Sequence, residues 1–166
     1  MMTESDYSEV HPDLYVSSYR TAEDLETLKA LGIRYIVNCT PEPRPSAYTY
    51  TCLDERYTGV WNLFEHSQEW RIRYLRVPVY DSLKTDIAAY FDEAYNFIDE
   101  ALEDDEGKVL VHCRAGVSRS ATIAIMYMMR SIPIPPEEAL ERVREARPCV
   151  NPNPSFWRQL AEDWGT

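Results

Sequence analysis

The apolar positions of this 166-residue chain change period repeatedly, and the changes predict short strands alternating with helices. Residues 1–10 show no period and predict a mobile N-terminal arm. Asp13 to Ser18 (DLYVSS) alternates as a short strand does, and is expected to be the first strand, at a sheet edge. In the TAED that follows, Thr21 and Asp24 fit a capping box, Leu25 and Leu28 share one face, and Gly32 supplies a left-handed stop. A helix over about 21–31 is expected. Ile33 to Thr40 (IRYIVNCT) is nearly continuous in apolar residues, the pattern of a parallel strand covered on both faces.

The rhythm breaks over 41–60. PEPRP favours extended backbone and only weak alternation follows, so this stretch is expected to be an inserted loop with at most one short strand. Trp61 to Trp70 suggests a short helical turn, and Arg73 to Val79 (RYLRVPV) a third strand that leaves Asp81 just past its end. From Asp86 to Glu103, Ile87, Phe91, Ala94, Ile98 and Ala101 recur at helical spacing, with Asp86 as the cap and Gly107 beyond the end. Lys108 to Cys113 (KVLVHC) returns to a buried strand. A right-handed crossover between these last two strands would bring Asp81 and Cys113 to one rim.

The helix beginning near Ser120 is almost wholly apolar, which requires burial on most sides, with its methionines as core filling. Pro136 opens a helix that is acidic at its start and basic at its end, as the helix dipole favours. Asn153 and Pro154 open the last helix, in which Phe156, Leu160 and Trp164 form one apolar face. Together the elements predict a single α/β domain over 11–166, built on a central, largely parallel twisted sheet of about four to five strands flanked by helices.

Composition narrows the function. The 45% hydrophobic and 12% aromatic residues argue against disorder of the whole chain. Acidic residues outnumber basic ones 28 to 17, a net charge of −11, which disfavours generic binding to nucleic acid or anionic membranes. Any phosphate site must then be a local basic pocket. No run of about 18 apolar residues occurs, and the N-terminus is acidic and polar, so a soluble protein of the cytoplasm or nucleus is expected. Cysteines at 39, 52, 113 and 149 have no CxxC spacing and are sparse for a disulfide scaffold; reduced thiols are expected. No cluster of histidines and carboxylates suggests a metal, and no cofactor is expected. Nothing in the sequence indicates an oligomeric state.

The stretch KVLVHCRAGVSRSA carries the chemistry. It runs from a strand through a tight loop into a helix, and places Cys113 six residues before Arg119. A thiolate at a helix start, among backbone N–H groups and beside a guanidinium, is favoured over the thiol, so the Cys113 pKa should fall well below its free value. The same donors suit a tetrahedral oxyanion, and an arginine can hold two phosphate oxygens at once. Gly116 lets the backbone curl inward where a Cβ would intrude. A phosphate monoester is the natural substrate, with Cys113 taking the phosphoryl group. The arginines suit a phosphate better than a peptide carbonyl, which argues against a cysteine protease.

HCRAGVSRS resembles the HCxxGxxRS signature of the cysteine-based protein tyrosine phosphatases, and is most similar to that of the dual-specificity phosphatases. LYVSSYRTAEDLETLKALGIRYIVNCT, RYLRVPVYDS, DIAAYFDEAYNFIDEAL and RPCVNPNPSFWRQL resemble the same family in the same order, over residues 11–162. The resemblance implies a protein tyrosine phosphatase-like fold and a small, atypical member, since 166 residues leave no room for a rhodanese-like docking domain. It implies that Cys113 forms a phosphocysteine, that Arg119 binds the phosphoryl oxygens, and that Asp81 is the general acid and then the base. Ser120 would ease departure of the sulfur, and the amides of Arg114, Ala115, Gly116, Val117, Ser118 and Arg119 would cradle the phosphate.

Several neighbours carry alternatives. Asp86 is a second carboxylate near Asp81 but looks like a helix cap. His112 faces away from Cys113 by strand alternation, which fits bracing the loop rather than taking the thiol proton. Asn38 and Asn151 are candidate braces of the phosphate loop, or backbone caps. Cys39, ending a strand that could neighbour the Cys113 strand, is either a buried thiol or a redox partner of Cys113. His11 and His66 carry no motif. The expected function is hydrolysis of phosphotyrosine and phosphoserine/threonine in a phosphoprotein substrate. The alternatives are a non-protein phosphate (lipid, glycan or RNA 5′ end) or a weakly active phospho-binding module.

Overall fold

In the computed structural model, residues 5–43 and 59–166 are described. The sheet has five strands, β1 (Tyr7–His11), β2 (Leu14–Ser17), β3 (Tyr35–Asn38), β4 (Arg73–Arg76) and β5 (Val109–His112). Their spatial order is β1-β2-β5-β3-β4, with β1 antiparallel to β2 and every other pairing parallel. The helices are α1 (Tyr19–Ala22), α2 (Leu25–Leu31), α3 (Phe91–Glu103), α4 (Arg119–Ser131), α5 (Pro136–Ala146) and α6 (Pro154–Trp164), and a 3-10 turn, Ile87–Tyr90, leads into α3. This is the largely parallel α/β sheet that the periodicity predicts.

Strand β5 lies in the middle of the sheet. All four residues of β5 are buried, and both its neighbours run parallel to it. Helix α4 follows β5 directly and is buried continuously from Arg119 to Met129, so it lies within the main core and not on it. A smaller apolar cluster of Tyr15, Ala22, Leu28, Ile33, Ile36, Ile72 and Leu110 fills the opposite side. Registers align Ser17, His112, Asn38 and Arg76 across β2, β5, β3 and β4, so all four parallel strands end at one level. Ligands of open α/β sheets bind at such carboxyl ends.

Four local expectations are corrected. The arm expected over 1–10 gives way to a strand from Tyr7, which takes the sheet edge that was expected for Asp13–Ser18. Strand β1 is tied down by Val10, which is 8% exposed, and by Asp6, whose carboxylate accepts from the hydroxyls of Ser18 (2.7 Å) and Thr21 (2.9 Å). The helix expected over 21–31 is two helices, because Ser18 caps α1 and Asp24 caps α2, while the Thr21 hydroxyl serves Asp6.

Trp61–Trp70 forms turns, not a helix. It is held by distant partners: Trp70 Nε1 donates to Ile33 O (2.8 Å) and Phe64 N to the Tyr74 hydroxyl (3.1 Å). On α6, Phe156 and Leu160 are fully buried but Trp164 remains 45% exposed, since it occupies the last turn beyond the core. Residues 44–58, most of the expected insertion, lie outside the described residues.

Candidate active site

Strand β5 passes straight from His112 through a six-residue loop into the first turn of α4, so the free N–H groups of the helix start face the loop. The loop closes because Gly116 has φ +69°, and a Cβ there would lie 2.5 Å from the carbonyl carbon of Ser17 and 2.7 Å from Arg147 Nη2. Curled in this way, the loop surrounds its own first residue. Gly116 N donates to Cys113 Sγ at 3.2 Å, and Ser120 Oγ lies 3.2 Å from the same sulfur.

Arg119 is 3% exposed, and its Nη1 donates to Val79 O at 3.0 Å. The guanidinium is thereby anchored on the segment that leads to Asp81. Burial alone would raise the Cys113 thiol, but the Arg119 charge and the hydrogen bonds from Ser120 and Gly116 outweigh it, and the thiol lies below its ordinary range. A sulfur held as thiolate among amides and a guanidinium can attack a phosphorus whose oxygens those donors hold.

Arg147 and the segment after it carry the outer support. Arg147, 7% exposed, donates from Nε to Gly116 O (2.8 Å) and from Nη1 to Asp6 O (2.7 Å). Asn151 reaches the loop through its backbone, its N–H donating to Val117 O at 2.8 Å. His112 is fully buried; its Nδ1 is 3.2 Å from Cys113 O, and its Nε2 has no hydrogen-bond partner among the described residues. Burial pushes its pKa down to about 4, so the ring is neutral in ordinary buffers.

Asp81 meets the loop at Ser118, whose hydroxyl donates to Asp81 Oδ1 at 2.8 Å; Asn153 Nδ2 donates to the same oxygen at 2.9 Å. Asp86 is engaged elsewhere, capping the 3-10 turn by accepting from Ala89 N at 3.3 Å. The structure thus brings together Cys113, Arg119, Ser120, Ser118 and Asp81, with Arg114 beside them over the ring of Tyr19.

Asn38 is a correction. Its side chain braces no part of the phosphate loop, and donates instead to Val60 O (2.8 Å) and Asn62 Oδ1 (2.9 Å). Arg76 joins it there, donating to Pro41 O (3.0 Å) and Val60 O (2.9 Å). Asn38 and Arg76 therefore fasten the two ends of the 41–60 segment to the sheet.

Cys39 lies beside the loop, its N–H donating to His112 O at 2.8 Å on the strand next to β5. Burial and the neighbouring Cys113 push its thiol well above the ordinary range.

Sequence reasoning missed Arg147, Asn153 and the side-chain role of Ser118. Arg147 carries no local signal, because its contact spans 31 residues. Asn153 was legible only as a helix start. Among the described residues no group of three or more His, Cys, Asp or Glu side chains could hold a metal ion, and no helix is long and apolar enough to cross a membrane.

Comparison with known proteins bears on this arrangement. The family model described as dual specificity phosphatase, catalytic domain, matches residues 14–164. Human dual specificity protein phosphatase 9 is 35% identical over 154 residues, covering 93% of this chain. The chain spans only 35% of that relative's length. The crystal structure of human DUSP28 superposes with a TM-score of 0.77 at 27% identity, covering 98% of this chain and 95% of that one. That of the human tyrosine phosphatase-like serine/threonine/tyrosine-interacting protein gives a TM-score of 0.77 at 30% identity, covering 94% and 93%. With the family match running from the start of β2 into the last turn of α6, and so across the Cys113 loop, Asp81, Arg147 and Asn153, this chain belongs to the dual specificity phosphatase catalytic domain family.

Proposed function

We propose that the protein hydrolyses phosphotyrosine and phosphoserine/threonine in proteins through a phosphocysteine intermediate. The observation that carries this reading is the Cys113 sulfur, held below its ordinary pKa by Arg119, Ser120 and Gly116.

In the first step the Cys113 thiolate attacks phosphorus, an S–P bond forms and the P–O bond to the substrate breaks. The leaving oxygen keeps the bonding pair and takes the proton of the Asp81 carboxyl group, help worth about 10² to 10⁴ in rate. Arg119 and the amides from Arg114 to Arg119 hold the three non-bridging oxygens, where charge builds in the transition state. In the second step water attacks phosphorus and gives a proton to the Asp81 carboxylate. The S–P bond then breaks and Cys113 leaves as a thiolate, eased by the Ser120 hydroxyl.

The substrate is a phosphoprotein, and the net charge of −11 argues against nucleic acid as a general partner. A catalytic thiolate works in a reducing compartment, which supports the cytoplasm or nucleus as its location.

The test is Cys113→Ser, which should abolish turnover of an aryl phosphate while keeping phosphate binding. Undiminished turnover would refute the nucleophile. The same variant, offered a panel of phosphopeptides beside lipid, glycan and RNA phosphates, should trap the phosphopeptides. Selective capture of one of the other classes would replace the protein substrate with that class.

A further inference from the structure

Helix α6 and the residue before it hold the 81–88 segment at two points. Gln159, 7% exposed, donates from Nε2 to Thr85 O (2.9 Å) and accepts at Oε1 from Ala88 N (3.0 Å). Asn153 holds the other end and divides its amide between two tasks. Its Oδ1 caps α6 by accepting from Phe156 N (2.9 Å), while its Nδ2 donates to Asp81 Oδ1 (2.9 Å) and, at 3.4 Å, to Ser82 O. Its backbone N–H donates to Ser118 Oγ at 3.0 Å, which orients that hydroxyl so that its own proton points to Asp81 Oδ1, 2.8 Å away.

The two donors to Asp81 therefore converge on one oxygen, and Oδ2 accepts no hydrogen bond among the described residues. A carboxyl group protonates on the oxygen that is not already facing donors, since a proton on Oδ1 would point at two others. We infer that Asn153 is a positioning residue of this phosphatase, which with the Ser118 hydroxyl holds Asp81 by Oδ1 and leaves Oδ2 as the atom that carries the catalytic proton.

This rests on Asp81 being the general acid, as proposed above. When the Oδ2–H bond breaks, its proton bonds to the leaving oxygen, and the carboxylate left behind has both donors already in place for its new charge. The next proton, from the attacking water, returns to Oδ2. Capping alone would use only the Asn153 oxygen; Ser or Asp caps a helix as well. The amide nitrogen is the part committed to Asp81.

That division makes the inference testable. Asn153→Ser keeps a cap but cannot reach Asp81, and Asn153→Asp keeps the cap and the shape while turning the donor into an acceptor. Both should keep the melting temperature and the KM. On phenyl phosphate, a poor leaving group, kcat should fall ~10-fold or more, while turnover of 2,4-dinitrophenyl phosphate, which needs no proton, should stay close to that of the parent. In an Asp81→Asn background Asn153→Ser should cost nothing further.

Loss that is equal across leaving groups, or that adds fully to Asp81→Asn, would overturn the positioning role while leaving Asp81 as the acid. If Asp81→Asn itself leaves the leaving-group dependence unchanged, the general-acid assignment fails and takes this role with it.

Discussion

Ser120 Oγ lies 3.2 Å from Cys113 Sγ, within the first turn of the helix whose start faces the sulfur. The contact favours the thiolate over any neutral form of the sulfur, so it matters most when the thiolate is the leaving group. A hydrogen bond to a charged group contributes about 1.5 to 3 kcal/mol. Ser120→Ala should therefore slow breakdown of the phosphocysteine ~10- to ~100-fold. Rapid-mixing measurement with a good aryl phosphate should show a burst of one product per enzyme, followed by a slow steady state. A slowed burst with no accumulation of phosphoenzyme would count against the assignment.

The Arg147 guanidinium joins Gly116 O to Asp6 O, linking the phosphate loop to the N-terminal strand. Lysine has one ammonium in place of this planar fork and cannot hold both carbonyls in the same geometry. Arg147→Lys is expected to lower kcat/KM and to weaken inhibition by phosphate by a similar factor, about tenfold, because the loop amides lose their alignment. Unchanged phosphate inhibition would show that the loop holds its shape without this support.

These two contacts differ in how far sequence could reveal them. Cys113, Gly116, Arg119 and Ser120 lie within eight residues, and a strand that runs into a helix allows that short stretch few geometries. Asp81 was legible from its place after RYLRVPV, although β4 itself ends at Arg76 and the chain runs on without strand pairing to reach Asp81. Arg147 and Asn153 act across 31 and 72 residues, and only the packed fold specifies such meetings. Strand β1 was illegible for a related reason: YSEVH, exposed or half-buried except at Val10, has too weak an apolar alternation to reveal an edge strand held by partners elsewhere. Asn38 stood at the right strand end for a loop brace, but Val60 and Asn62 return to that point and take its amide.

The two buried thiols at the strand ends differ in ionisation. Cys113 is held below its ordinary pKa, whereas burial and Cys113 push Cys39 well above it. Iodoacetamide at neutral pH should therefore alkylate Cys113 and leave Cys39 unmodified, with inorganic phosphate protecting Cys113. Under peroxide, Cys113 should reach the sulfenic acid without bonding to Cys39, because the neutral Cys39 thiol is a poor nucleophile. Mass spectrometry of the oxidised protein reads the outcome. A Cys39–Cys113 crosslink would instead make Cys39 the redox partner that its position beside β5 allows.

His112 provides a pH test of the loop's foundation. Its folded pKa is about 4, against about 6.5 for the free side chain, because burial disfavours the imidazolium. The unfolded chain then binds more protons than the folded one between these values. The stability His112 contributes is fully present above pH ~6.5 and is lost as pH falls towards ~4. The difference corresponds to about 3 kcal/mol, a substantial fraction of the usual net stability of a domain. The melting temperature should fall steeply from pH 6.5 to pH 4, and His112→Gln, which cannot titrate, should flatten that slope even if it lowers the plateau. Equal slopes for the two proteins would show that His112 does not drive acid unfolding. Because the ring is neutral at pH 7, it adds no positive charge near Cys113. The pH dependence of alkylation at Cys113 should therefore follow the ionisation of the Cys113 thiol itself, which Arg119, Ser120 and Gly116 lower, and stay the same in His112→Gln.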